Sequence, residues 1–160
     1  MCWLFENLSD MEKGFEMGTY SRADLIYRIV EGAKKLGLDP DQLTDTILFD
    51  MGAAGTANVP GDDPDDFIRF MTTPGVGANV YGMEAIKLEK DHAVAHFHHC
   101  PLVAKWKQLG LDPEQINYLC IIANKADLGR ASNFKNVELT FPKRMGAGDE
   151  YCELNAKRKE

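Results

Sequence analysis

The stretch His92-Ala93-Val94-Ala95-His96-Phe97-His98-His99-Cys100-Pro101 decides how this chain is read. On an extended strand, successive side chains point to opposite faces. Ala93, Ala95 and Phe97 then share one face, and His92, Val94, His96, His98 and Cys100 share the other. Pro101 has no N–H to give a ladder and suits the first turn of a helix, so the strand ends there. Upstream, residues 83–90 alternate too, with Ile86 and Leu88 against Lys87 and Glu89. Asp91 supplies the turn, and an antiparallel pair of strands is expected over residues 83–100.

Working outward, the flanks change to helical period. Ser21 is expected to cap a helix whose stripe is Leu25, Ile26, Ile29, Val30 and Ala33, closed by Gly37. Asp39-Pro40 opens a second helix, with Leu43, Ile47, Leu48 and Met51 on its buried side. Small and acidic residues over 52–66 read as a loop, and Asp63-Pro64 starts a short helix with Phe67, Ile68, Phe70 and Met71. Residues 73–77 read as a second loop. They lack a phosphate-cradling pattern, because Val80 stands where a third glycine belongs. Downstream, Pro101 begins a helix ended by Gly110. Asp112-Pro113 caps a longer one over 113–128, with Ile116, Leu119, Cys120, Ala123, Ala126 and Asp127 along its stripe. Strands are expected near 135–141 and 149–156, with Met145-Gly146-Ala147-Gly148-Asp149 turning between them. The fold class expected is α+β: N-terminal helices followed by an antiparallel sheet with two intervening helices. One domain is expected over 1–160, with an apolar arm at 1–20, a helical part at 21–80 and a sheet-plus-helices part at 81–156.

The chain has 160 residues, 18 Lys and Arg against 25 Asp and Glu, and a net charge of −7. Polyanions and anionic membrane surfaces are attracted by clustered cations, so neither nucleic acid nor membrane is an expected partner. No apolar run reaches the length of a transmembrane helix. The apolar start Met1-Cys2-Trp3-Leu4-Phe5-Glu6 lacks a basic lead and is not read as a signal peptide. The four cysteines (Cys2, Cys100, Cys120, Cys152) are far apart and read as thiols in a cytoplasmic protein.

The residues that carry chemistry lie in the second half. His96, His98 and Cys100 fall on one strand face, and His99 is expected either on the apolar side with Phe97 or at the bend. Cys120 and Asp127 are seven apart on the buried side of one helix, about 10 Å along its axis. A carboxylate on an apolar stripe is costly unless paired, which marks Asp127. Cys152 follows the glycine-rich turn and points inward. Cys120, between Leu119 and Ile121, reads more simply as core.

Taken together, Cys100-Pro101, Trp106-x-x-Leu109-Gly110, Cys120, Asp127 and Gly148-Asp149-x-x-Cys152 resemble the L-2-amino-thiazoline-4-carboxylic acid hydrolase family of small bacterial proteins. The resemblance covers about residues 80–155, with the first 80 residues matching only as a helical lead-in. It departs from the family where Glu153-Leu154-Asn155-Ala156 replaces an aromatic-rich strand. It implies hydrolytic opening of a small heterocycle at a C=N carbon, giving a carbamoyl product. The site implied is Cys100, Cys152, Asp127, His98 and His99, with Arg130, Lys143 and Arg144 as candidates to hold a substrate carboxylate.

Two mechanisms stay open at this point. In one, Cys100, Cys152 and His98 bind zinc or iron with a free position for water. In the other, Cys100 is a thiolate nucleophile activated by a neighbouring histidine. Two other classes of function also stand. One is a non-enzymatic metal- or small-molecule-binding sensor module using the same cluster. The other is a subunit with no site of its own, and a homo-oligomer is likewise open.

Overall fold

The computed structural model describes residues 7–160. Trp3, Leu4 and Phe5 of the expected arm, and Cys2, lie outside the described residues. Helix α1 runs Asp10–Lys35, begun by a Ser9–Glu12 capping box in which each side chain bonds the other residue's backbone N–H. Residues 10–20 of the arm expected over 1–20 are thus part of this helix, and the cap expected at Ser21 is corrected. Ser21 sits in mid-helix, its hydroxyl donating to the Met17 carbonyl at 3.3 Å. Helix α2 (Pro40–Thr44) continues through a wide turn at Asp45–Phe49 into α3 (Asp50–Thr56). Of the side expected to be buried here, Leu48 is, while Ile47 and Met51 are exposed. Helices α4 (Pro64–Met71) and α5 (Val76–Tyr81) complete the first half.

The sequence places a loop over 52–66, but its first five residues are helical. Gly52 among them is a close-approach residue, not a turn former. A Cβ on Gly52 would lie 1.9 Å from the Ala126 carbonyl oxygen, and one on Gly129 would lie 2.0 Å from that of Phe49. The backbones of α3 and of α7 (Pro113–Ala131) therefore meet without side chains between them. Residues 76–77, read as loop, likewise begin α5.

Strands β1 (Met83–Glu89), β2 (His92–Phe97), β3 (Val137–Lys143) and β4 (Cys152–Arg158) form one antiparallel sheet in the order β1-β2-β4-β3. Helices α6 (Pro101–Gln108) and α7 intervene between β2 and β3, so the mixed α+β architecture is the one expected. Opposed residues share a face. Ala93 pairs with Ala156, Ala95 with Leu154, and Phe97 with Cys152, and these form the core face. His92, Val94 and His96 oppose Lys157, Asn155 and Glu153 on the outer face. A register shift between Ala85 and Lys87 leaves Ile86 and Leu88 exposed, against the alternation read for β1.

The interior has two apolar clusters. One joins α1, α6 and α7 around Trp106, whose indole N–H donates to the Ala23 carbonyl at 2.9 Å. The other joins α4 to the sheet around Phe67, Phe134 and Leu154.

Candidate active site

Between these clusters lies a cavity of about 270 Å³. Cys100 and Cys120 reach it from the helical side, and Cys152 from β4. Its polar lining is completed by Arg22, Asn124, Asp127, Arg130 and Arg144. The elements explain the convergence. Cys152 lies opposite Phe97 and so on the core face of the sheet. Cys120, Asn124 and Asp127 are spaced four and three apart, one face of α7. Cys100 is the N-cap of α6, with Pro101 at the helix start.

The turn at Cys100 corrects the strand reading. Strand β2 ends at Phe97, and the chain leaves it before Cys100, so Cys100 and His98 do not share a face. None of the histidines lines the cavity. His96 Nε2 lies 3.2 Å from Glu153 Oε2, with its ring stacked on Tyr151 at 4.1 Å between centroids. His98 Nε2 lies 3.2 Å from Glu84 Oε2, and His99 Nε2 lies 3.1 Å from Glu16 Oε1 on α1. The expected site thus divides: Cys100, Cys152 and Asp127 come together, and His98 and His99 stand elsewhere. The ligand set Cys100, Cys152 and His98 is not assembled. Among the described residues, no group of three or more His, Cys, Asp and Glu side chains could hold a metal ion.

Burial sets the protonation of the lining. It pushes the Cys100 thiol far up, an effect that Cys152 reinforces. Cys152 is pushed up to about 11 by burial, against the Met145 N–H that donates to its Sγ at 3.3 Å. Cys120 is also raised by burial, opposed by the Gly146 N–H and by Arg144. The short 3-10 turn Met145–Ala147 therefore presents two N–H groups to two thiols. It can approach α7 because a Cβ at Gly146 would lie 2.3 Å from the Cys120 Cβ. Asp127 is raised by burial too, opposed by Arg130, whose Nη1 donates to Oδ1 at 2.6 Å, and more weakly by Arg22.

The three cations named as carboxylate holders now separate. Lys143 donates to the Tyr151 hydroxyl at 2.8 Å and lies over that ring, away from the cavity lining. Arg130 is engaged by Asp127. Arg144 lines the cavity with Nη1 buried and without a hydrogen-bond partner. A buried guanidinium N–H left unpaired is costly, and an anion is one group that can satisfy it.

Sequence reading missed Arg22 and Asn124. Arg22 donates to the Tyr81 hydroxyl at 3.0 Å and falls between Thr19 and Ile26 on the buried stripe of α1. Starting that helix at Ser21 hid the stripe's first turns. Asn124 carries the spacing of Cys120 and Asp127, which is a sufficient signal.

A solved trafficking protein particle complex subunit 3 from Naegleria fowleri, covalently bound to palmitic acid, is similar at 16% identity and a TM-score of 0.49. The match covers 90% of this chain and 96% of that one. No curated protein matches the chain. A family model described as L-2-amino-thiazoline-4-carboxylic acid hydrolase matches residues 28–155, which takes in α6, α7, β1 to β3, the first half of β4 and most of the cavity lining. The chain belongs to the L-2-amino-thiazoline-4-carboxylic acid hydrolase family.

Proposed function

We propose that the protein is a cytoplasmic hydrolase that opens a small carboxylate-bearing C=N heterocycle in this cavity. The observation that carries the reading is the meeting of the Asp127–Arg130 pair with the unpartnered Nη1 of Arg144 in one enclosure. Arg144 takes the substrate carboxylate. Asp127, with its pKa raised by burial, suits proton transfer nearer neutral pH than an exposed carboxylate does. It takes a proton from water as the water oxygen bonds to the C=N carbon and the π pair of that bond moves to the ring nitrogen, which takes the remaining proton of that oxygen as the carbonyl forms. The ring carbon–sulfur bond then breaks, its electron pair stays on sulfur, and the Asp127 proton passes to that sulfur. A carbamoyl amino acid with a free thiol is left. Arg130 positions Asp127. Cys100 and Cys152 are protonated walls of the site in the resting protein, so direct attack by water needs fewer proton transfers than a thiolate route.

The test is incubation with L-2-amino-thiazoline-4-carboxylate, following thiol release and the carbamoyl product by mass. Turnover lost in Asp127→Asn and kept in Cys100→Ala and Cys152→Ala supports the reading. Turnover lost in Cys152→Ala, with a covalent adduct on Cys152 in the parent protein, replaces water by that thiol as the attacking group. Binding without turnover, by Asp127→Asn and the parent protein alike, would instead support a small-molecule sensor. The predominantly apolar lining favours that second reading.

A further inference from the structure

The cavity is larger and more apolar than a thiazoline carboxylate requires. An apolar protein cavity of about 150 Å³ holds one benzene ring. A five-membered ring bearing an amine and a carboxylate occupies only slightly more than that, roughly 150–200 Å³ on the same scale. In a cavity of about 270 Å³, a volume comparable to several methylenes is left over.

The lining of that surplus is apolar. Phe70, Met71, Met83 and Phe141 line the cavity and are only half-buried, although they belong to the cluster packed on the sheet. Phe15 and Met51, also on the lining, are 39% and 43% exposed. Phe15 is held there by its edge contact with Tyr81, at 6.4 Å between centroids, and by Gly77, where a Cβ would come within 3.3 Å of its ring. Large side chains left partly uncovered around one enclosure mark a surface that an apolar ligand group covers. The polar groups, by contrast, number enough for one carboxylate and one reacting centre.

From this we infer that the substrate is amphiphilic: a carboxylate-bearing C=N heterocycle with an apolar substituent of about three to five carbons. The carboxylate meets Arg144, the ring meets Asp127, and the substituent lies against Phe15, Phe70, Met71 and Met51. This rests on the hydrolase reading only for the ring chemistry. The size and polarity of the ligand stand on the cavity itself.

The experiment compares 2-amino-thiazoline-4-carboxylate with the same compound bearing a butyl group on ring carbon 5. Both kcat/KM and calorimetric Kd are measured, in the parent protein and in Phe15→Gln and Met51→Gln. These two side chains are exposed enough for the variants to fold. The butyl compound is expected to bind and react at least about tenfold better, and the contrast is expected to shrink in each variant. Equal or better performance by the unsubstituted compound overturns the inference while leaving the hydrolase reading intact. No turnover of either compound, but tighter binding of the butyl compound that the variants weaken, leaves the inference standing and removes the hydrolase reading. No binding of either compound overturns it as well.

Discussion

Arg130 and Asp127 are joined at 2.6 Å, three residues apart on α7, with the carboxylate facing a cavity and 19% of its side chain exposed. Burial raises the Asp127 pKa above the ordinary carboxylate value, and the Arg130 and Arg22 charges oppose that rise without cancelling it. A carboxyl raised in the folded state binds its proton more tightly there than in the unfolded chain. Its contribution to stability is complete below the unfolded pKa and is lost as pH rises through the higher folded one. Asp127→Asn removes this loss. The stability of the variant relative to the parent is expected to climb between pH 4 and pH 7, read as a growing difference in melting temperature. Every pH unit separating the folded pKa from the unfolded one adds about 1.4 kcal/mol to that climb. A flat difference over that range would show that the carboxyl is not raised. If Asp127 is the general base, kcat falls about 100-fold or more in the same variant.

Gly129 is expected to tolerate nothing larger. A Cβ there would overlap the Phe49 carbonyl oxygen at 2.0 Å, and both groups are backbone, so neither can turn aside. Gly129→Ala must separate α7 from the turn into α3. A cost of about 3 kcal/mol is expected, or roughly 9 °C in melting temperature for a chain this long. Gly18→Ala, where nothing lies within 4 Å, serves as the control and is expected to be neutral or stabilising. Equal melting temperatures for the two variants would deny the close approach.

These glycines show what the sequence could and could not disclose. Alternation and caps were enough for β2, for α6 with Pro101 at its start, and for the capped start of α7, because each signal is local. Gly52 reads as loop in the sequence because glycine marks turns and close packing alike, and only the partner helix distinguishes them. The same limit divided the candidate site. Asp127 was identifiable from its place on an apolar stripe, and Cys152 from inward alternation. The histidines and Cys100 were grouped by a strand period that stops at Phe97, and a bend of three residues is enough to send Cys100 to the core side. Arg144 carried no signal of its own, since its distinction is an unpaired nitrogen in a cavity built by several other elements.

The thiols are expected to be slow nucleophiles. With Cys152 pushed up to about 11, from an ordinary 9.0, its thiolate fraction at neutral pH is lower by about two orders of magnitude. Iodoacetamide is expected to label Cys152 about 100-fold more slowly than an exposed cysteine at pH 7, with the rate still rising through about pH 10. Cys100, raised further by burial and by Cys152, is slower again. Peptide mapping after timed alkylation reads each site separately. Fast labelling of Cys152 at pH 7 would restore a thiolate route.

Arg144 and His98 make opposite predictions about where recognition happens. Arg144 has an unpaired Nη1 on the cavity, and a charge-assisted bond to a substrate carboxylate is worth about 1.5–3 kcal/mol. Arg144→Met is therefore expected to lower kcat/KM for a carboxylate substrate about 10- to 100-fold. For the same ring without its carboxylate, which makes no such bond, the parent and the variant should be alike. That second comparison separates recognition from a general loss of structure. His98 pairs with Glu84 and lies off the cavity lining. Its replacement by Ala is expected to change kcat/KM by no more than about twofold, the effect of an ordinary surface substitution. A collapse of turnover in His98→Ala with the melting temperature unchanged would return the histidine cluster to the reaction and move the site from the cavity to the outer face of the sheet.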